Sequence, residues 1–113
     1  MSRETTFEED TDDPGALLGA IDGMAADLQA TLAREGFFFR TITLKVRYTG
    51  FITKTLSRTL PHETNALEDI RDLARALLSS APGKGTVRLI GIRLSNLHEK
   101  AAAQRSIDEY LAP

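Results

Sequence analysis

The feature that most constrains the fold is a strict alternation of side-chain type between residues 40 and 48. The run RTITLKVRY has an apolar residue at every second position and a threonine or a basic residue between them. A period of two is that of a strand with one buried face and one polar face. Thr49-Gly50 predicts a tight turn after it, so residues 40–60 are expected to form a β-hairpin that Pro61-His62 ends.

The second strand of this hairpin, FITKTLSRTL at residues 51–60, has a less regular pattern. One face carries only hydroxyl side chains, namely Thr53, Thr55, Ser57 and Thr59. The other face mixes apolar residues with Lys54 and Arg58. The aliphatic stems of these two residues are expected to pass the edge of the core and leave their charges in water.

The spacing of apolar residues in two other segments predicts amphipathic helices. Through residues 17–32 they recur at intervals of three and four, which is the pattern of a helix that buries one stripe. Asp13 can cap the start of this helix, Pro14 suits its first position, and Gly36 marks its end.

A second apolar stripe covers residues 67–78. Asn65, with Glu68 three positions later, predicts a capping box at the start of this second helix. Residues 79–85 are expected to form a loop, because they are rich in serine, glycine and proline.

Residues 87–97, VRLIGIRLSNL, predict a last strand in which Arg88 shares one face with the isoleucines and Leu94. Leu89, Gly91, Arg93 and Ser95 form its other face, and the glycine predicts a close approach of another backbone. The short run RETTF at residues 3–7 predicts a first strand. The order βαββαβ then predicts an α+β fold with one four-stranded sheet, two helices packed on one face and the other face open.

Composition excludes several classes of protein. The chain has 113 residues, 42% of them hydrophobic, and no cysteine, so one domain without disulfides or thiolate chemistry is expected. No apolar run approaches the roughly 20 residues of a membrane span, and the N-terminus does not resemble a signal peptide. These features predict a cytoplasmic protein that does not bind membranes.

Charge is distributed unevenly along the chain. Residues 36–62 contain five basic residues and no acidic one, and residues 84–97 contain three basic residues and no acidic one. The acidic run at residues 8–13 could be a metal cluster, but its irregular spacing and its position before a helix favour a role at the helix start. No phosphate-binding loop, dinucleotide-binding glycine motif or zinc-protease motif is present, and the two histidines have no ligand spacing.

The predicted open face combines Thr43, Lys45, Arg47 and Arg93 with further hydroxyl side chains. Fixed cations and short hydroxyl donors suit the phosphates of a nucleic acid. The alternative is that these residues only keep an outer face soluble.

Three segments, RETTF, RTITLKVRYTGFITKTLSRTLPH and VRLIGIRLSNL, closely resemble the C-terminal little finger domain of Y-family, DinB-like translesion DNA polymerases of the DNA polymerase IV type. The resemblance covers residues 2–97. It implies the βαββαβ fold and an open sheet that lies in the major groove of the template-primer duplex without reading sequence. It also implies that the catalytic palm, with its magnesium ions, belongs to the full-length polymerase. The domain alone is expected to be a non-catalytic monomer that needs no cofactor.

The resemblance implies DNA contacts at a defined set of residues, to which the alternation adds Thr43, Lys45 and Arg47. The implied contacts are Thr6, Lys54, Thr55, Ser57, Arg58, Arg88, Gly91, Arg93 and Ser95. Leu56 and Leu89 stand where relatives often carry basic residues, which implies a weak intrinsic grip.

The tail, residues 98–113, contains a second pattern. Gln104, Ile107, Tyr110 and Leu111 have the spacing of the peptide by which archaeal and eukaryotic proteins bind the sliding clamp, PCNA, which implies a clamp partner and an archaeal source. The helical spacing of its apolar residues would place them on one side of a short helix. The alternative is an amphipathic helix that packs on its own domain.

A function of another class remains open from the sequence. A free-standing βαββαβ module could bind single-stranded RNA or act as a protein-interaction domain. RNA-recognition sheets carry aromatic rings on the open face, whereas here Phe37, Phe38 and Phe39 precede the strand.

Overall fold

A computed structural model of the chain describes residues 1–50, 52–81 and 85–99. The predicted order βαββαβ and the α+β class are confirmed. The elements in chain order are β1 (Ser2–Thr11), α1 (Pro14–Glu35), β2 (Phe39–Tyr48), β3 (Thr53–Thr64), α2 (Leu67–Ser80) and β4 (Val87–Ser95).

The four strands form one antiparallel sheet in the order β1-β4-β2-β3. The two central strands, β2 and β4, come from distant parts of the chain and pair from Thr41 with Ser95 to Arg47 with Leu89. The edges are β1 and β3. The order of strands therefore places the N-terminal strand beside the C-terminal one.

Both helices pack on one face of the sheet, because the alternating apolar residues of the central strands all point there. The fully buried side chains include Ile42, Leu44 and Val46 of β2 and Ile90 and Leu94 of β4. They form one cluster with the buried stripe of α1 and with two residues of α2. The core thus lies between the helices and one face of the sheet, as the pattern of period two predicts.

The ends of α1 are those predicted from the sequence. The Asp13 carboxylate accepts a hydrogen bond from the Gly15 backbone N–H at 3.3 Å. Gly36 ends the helix with a φ of 74°, a left-handed conformation that glycine adopts without steric cost.

The predicted capping box of α2 is wrong. The residue before this helix is Ala66, and no side chain caps the helix. Instead, the Thr64 hydroxyl accepts from the Ala66 N–H and donates to Asp69. A threonine before the turn therefore organises the helix start in place of Asn65.

Two strands are longer than predicted. The expected end of β3 at Pro61-His62 is wrong, since the strand continues to Thr64. Pro61 lies in an irregular stretch between the Thr41–Thr59 and Phe39–Thr64 pairs, and an edge strand tolerates its missing N–H donor. Strand β1 continues past residue 7 to Thr11 after a register shift.

This longer β1 corrects the interpretation of the acidic run at residues 8–13. Glu8, Glu9 and Asp10 belong to the sheet, and in the run only Asp13 acts at the helix start.

The boundary proposed at residue 97 stays a prediction. His98 exchanges backbone hydrogen bonds with Phe38 at 2.8 and 2.9 Å.

None of the helices formed by the described residues has the length and apolar character that a bilayer span demands.

Candidate nucleic-acid interface

The sheet face opposite the helices, here called the open face, carries polar residues on all four strands. Its residues alternate with the buried ones and lie in register with each other. The open face consists of Ser2, Glu4 and Thr6 on β1, Leu89, Gly91, Arg93 and Ser95 on β4, Thr41, Thr43, Lys45 and Arg47 on β2, and Thr53, Thr55, Ser57 and Thr59 on β3.

Hydroxyl groups form a cross-strand ladder between β2 and β3. The Oγ1 atoms of Thr41 and Thr59 lie 2.9 Å apart, and Thr43 Oγ1 lies 2.7 Å from Ser57 Oγ. Each hydroxyl has one donor and two acceptor positions. Further capacity therefore remains, even at Thr41, which also accepts from Asn96 Nδ2 at 2.6 Å. The ladder thus orients the hydroxyl groups and leaves some of their hydrogen-bonding capacity for a ligand.

The cations of the open face differ in their partners. Arg47 donates through Nε to Thr53 Oγ1 at 3.2 Å. Arg93 is exposed, and no ion pair or side-chain hydrogen bond engages it among the described residues. Its guanidinium is therefore available to an anion from outside.

Lys45 is in an ion pair that crosses the centre of the sheet. Its Nζ lies 2.9 Å from Glu4 Oε2, and Gly91 lies between the two residues in the register of β1, β4 and β2. A Cβ on Gly91 would lie 3.0 Å from Glu4 Cγ and 3.3 Å from the Arg3 carbonyl oxygen. The glycine thus makes room for the Glu4 side chain, as well as for the close backbone predicted from the sequence.

A shallow depression of about 270 Å³ adjoins this pair. All four strands line it, with Ser2, Arg3 and Glu4 of β1, Gly91, Ile92 and Arg93 of β4, Thr43 and Lys45 of β2, and Thr55 of β3. Cations and hydroxyls therefore line one hollow that a phosphate oxygen could enter, and the Glu4 carboxylate lies among them.

Two of the predicted DNA contacts, Lys54 and Arg58, are not on the open face, and the strand register assigns a third, Arg88, to neither face. Lys54 and Arg58 pair with the buried Val46 and Ile42 in the register of β3, which places them on the helix side of an exposed edge. The other nine predicted residues lie on the open face.

Arg88 lies where the register of β4 shifts. Its Nε donates to Asp10 Oδ1 at 3.2 Å, and the same carboxylate accepts a hydrogen bond from Thr49. The Thr49 bond, aided by Arg88 and opposed by desolvation, holds the pKa of Asp10 below its ordinary value of 3.8. Thr49 also contacts the Thr86 hydroxyl at 2.6 Å, so this cluster joins the β2–β3 turn to β1 and to the start of β4.

Sequence reasoning missed Glu4 and Asp10 as neighbours of the basic residues. The expected open face had no carboxylate, because the basic segments have none. The alternation of RETTF puts Glu4 on the same face as Thr6, and this pattern could have predicted a carboxylate on the open face. Only the pairing of β1 with β4 shows that this face meets Lys45.

Within the described ranges, no group of three histidine or carboxylate side chains comes together as potential metal ligands. The predicted clamp-binding residues Gln104, Ile107, Tyr110 and Leu111 lie outside the described residues.

A four-stranded antiparallel sheet with two helices on one face and a cationic, hydroxyl-rich face left open defines a class of α+β binding domain. Residues 1–108 match the model of the impB/mucB/samB family C-terminal domain. The chain belongs to this family, the little finger domain of Y-family, DinB-like DNA polymerases, which confirms the resemblance seen in the sequence.

Among its relatives, DNA polymerase IV of Methanoculleus marisnigri is 48% identical over 99% of this chain and 31% of the relative. DNA polymerase IV 2 of Methanosarcina mazei is 38% identical over 97% of this chain and 30% of the relative. The chain therefore spans less than a third of the length of these two polymerases.

Solved structures share the fold. A complex of a β-clamp processivity factor with the little finger domain of PolIV matches with a TM-score of 0.68 and 20% identity, over 83% of this chain and 85% of that one. The insertion ternary complex of Dbh DNA polymerase matches with a TM-score of 0.64 and 21% identity, over 84% of this chain and 27% of that one.

Proposed function

We propose that this domain holds the template-primer duplex of a translesion DNA polymerase through the phosphate backbone, in the major groove and without sequence preference. The observation that carries the proposal is the depression on the open face, where Lys45 and Arg93 lie with hydroxyl side chains. Family membership and relatives named DNA polymerase IV support DNA as the partner.

The chemistry of the open face favours backbones over bases. Cations and hydroxyls contact phosphates, which carry no sequence information. None of the open-face residues is aromatic, whereas single-stranded RNA is bound by stacking bases on aromatic rings. The RNA-binding alternative therefore has less support than duplex binding.

The test is a fluorescence-anisotropy titration with two unrelated duplexes and with single-stranded DNA. It is run at about 50 and 200 mM salt, because phosphate contacts release counterions and weaken steeply over that range. We expect weak binding of both duplexes with the same affinity and a strong salt dependence. A preference for one duplex sequence, or an affinity that does not change with salt, would contradict the proposal.

We infer that catalysis belongs to another part of the polymerase. Nucleotidyl transfer needs carboxylates that hold metal ions, and two of the acidic residues of β1, Glu4 and Asp10, instead contact lysine, arginine and threonine. Primer extension with this domain, nucleotides and magnesium is expected to give no product, and template-dependent extension would overturn the inference.

We also propose that the tail recruits a sliding clamp through Gln104, Ile107, Tyr110 and Leu111. The sequence pattern carries this proposal, and the solved complex of a β-clamp with a little finger domain supports it. Buried aromatic anchors commonly dominate interface energy. Tyr110→Ala should therefore weaken clamp binding about thirtyfold, which corresponds to about 2 kcal/mol.

Calorimetry with a peptide of residues 100–113 and an archaeal clamp measures this effect. Ser106→Ala, outside the pattern, is the matched control and should bind like the unmodified peptide. If the tail packs on its own domain instead, the peptide will give no heat of binding, and Tyr110→Ala will lower the melting temperature of the whole chain.

A further inference from the structure

The Glu4–Lys45 pair places a carboxylate at the centre of the face that is proposed to meet DNA. The side chains of Lys45 and Glu4 are 35% and 47% exposed, so both side chains are partly accessible to solvent. An N–O distance of 2.9 Å is also that of a lysine bound to a phosphate oxygen. In the free domain, Glu4 thus occupies one of the three donor positions on Lys45 that a phosphate oxygen could take.

The ion pair between Asp10 and Arg88, at the other end of β1, is held by more hydrogen bonds than the Glu4–Lys45 pair. The Asp10 carboxylate accepts from both Thr49 and Arg88, and its side chain is 20% exposed. Among the described residues, only Lys45 donates to the Glu4 carboxylate. A partly exposed pair with one contact contributes little to stability, so Glu4 is held less firmly than Asp10.

We propose that Glu4 is an intramolecular competitor for Lys45, which duplex DNA must displace in order to reach the centre of the open face. This inference rests on the proposed function. A phosphate that approaches Lys45 meets the negative charge of Glu4, and the competition lowers the affinity at every position along the duplex alike. The polymerase would thereby hold its template firmly enough to stay in place and weakly enough to move along it.

The position of Glu4 makes this displacement geometrically simple. Its strand is the edge of the sheet beside β4, so the side chain has open solvent on one side. The Gly91 backbone below it offers no side chain that would hold the carboxylate in place. Rotation of the Glu4 side chain toward the edge would expose Lys45 beside Arg93 without any change in the backbone.

A double-mutant cycle tests the proposal on the whole chain, with duplex affinity measured at low salt. The variants are Glu4→Gln, Lys45→Met and the double variant. Glu8→Gln is the matched control, because Glu8 lies on the same strand with the same charge and has no ion pair among the described residues. We expect Glu4→Gln to bind duplex about threefold more tightly, the size of an exposed ion pair, and to exceed the gain of Glu8→Gln.

In the Lys45→Met background, the gain from Glu4→Gln should fall to that of the control. An equal gain in both backgrounds, or a gain no larger than that of Glu8→Gln, would overturn the competition and leave duplex binding standing. If no variant binds duplex at low salt, the proposed function itself fails, and the competition fails with it. Melting temperatures within a few degrees of each other would show that the variants are folded.

Discussion

The two faces of the sheet are built from alternate residues of the same strands, yet they have different roles. Thr43 and Leu44 are neighbours in β2: Leu44 is fully buried against the helices, whereas Thr43 lies on the open face and contacts Ser57. The covered face excludes water and supplies stability. The open face makes contacts that remain accessible, so its residues can be selected for binding with little effect on folding.

Replacing Leu44 and Thr43 in turn is the strongest test of this comparison. Leu44→Ala should lower the free energy of unfolding by about 3 kcal/mol, because it leaves a cavity in a packed core. Thr43→Ala removes one exposed hydrogen bond and should cost less than about 1 kcal/mol. Urea denaturation measures both, and equal losses would show that the open face is structural.

The second test separates binding from stability on the open face. Arg93→Ala should lower the duplex affinity about tenfold and reduce the slope of log affinity against log salt by about 0.9, as expected for one lost phosphate contact. Its stability should hardly change. Arg34→Ala, an exposed residue in the last turn of α1, is the control and should leave both affinity and salt slope nearly unchanged. Equal losses of duplex affinity in Arg93→Ala and Arg34→Ala would contradict a specific role of the open face in DNA binding.

The smallest expected effect concerns Asp10, which has a structural role at the end of the sheet. Because the Thr49 hydrogen bond lowers the pKa of Asp10 from 3.8, the ionised carboxylate stabilises the fold above that pH. The stabilisation is lost as the pH falls through the lowered pKa. Asp10→Asn should therefore be less stable than the unmodified chain at about pH 7, and the difference should shrink at about pH 2.5.

Chemical denaturation of both proteins at the two pH values measures that difference. Asp12→Asn, at an exposed aspartate with no side-chain contact among the described residues, should match the unmodified chain at about pH 7. If the difference in unfolding free energy between Asp10→Asn and the unmodified chain stays constant with pH, the shape of the side chain rather than its charge matters at this position.

Alternation and helical spacing were enough to predict the elements and the two faces, because these signals are local. Two of the errors arose where distant residues decide, and a third arose from a local side-chain contact. The acidic end of β1 joins the sheet because β4 lies beside it, and the irregular stretch around Pro61 continues as strand because Phe39 pairs with Thr64. Helix α2 begins without Asn65 because Thr64 already bonds Ala66 and Asp69.

The candidate interface was predictable to the same extent. Alternation placed Thr43, Lys45 and Arg47 on one face, and the register confirms that placement. The partners of the cations were not predictable, since Glu4 and Lys45 are 41 positions apart in the sequence. An ion pair of that kind depends on which strands become neighbours.

The strand order also has a consequence for how the domain folds. Hairpin β2–β3 and helix α2 form from residues close in sequence, whereas Ser2 pairs with Arg93 and so closes a loop of nearly the whole chain. Closing a long loop lowers the entropy of the chain before the contacts between β1 and β4 can form. We therefore expect β1 to pair with the sheet last. Substitutions in β1 would then speed unfolding and leave the folding rate nearly unchanged. During refolding, the basic residues of β2 and β4 would therefore be exposed to nucleic acid before the acidic strand β1 pairs with β4.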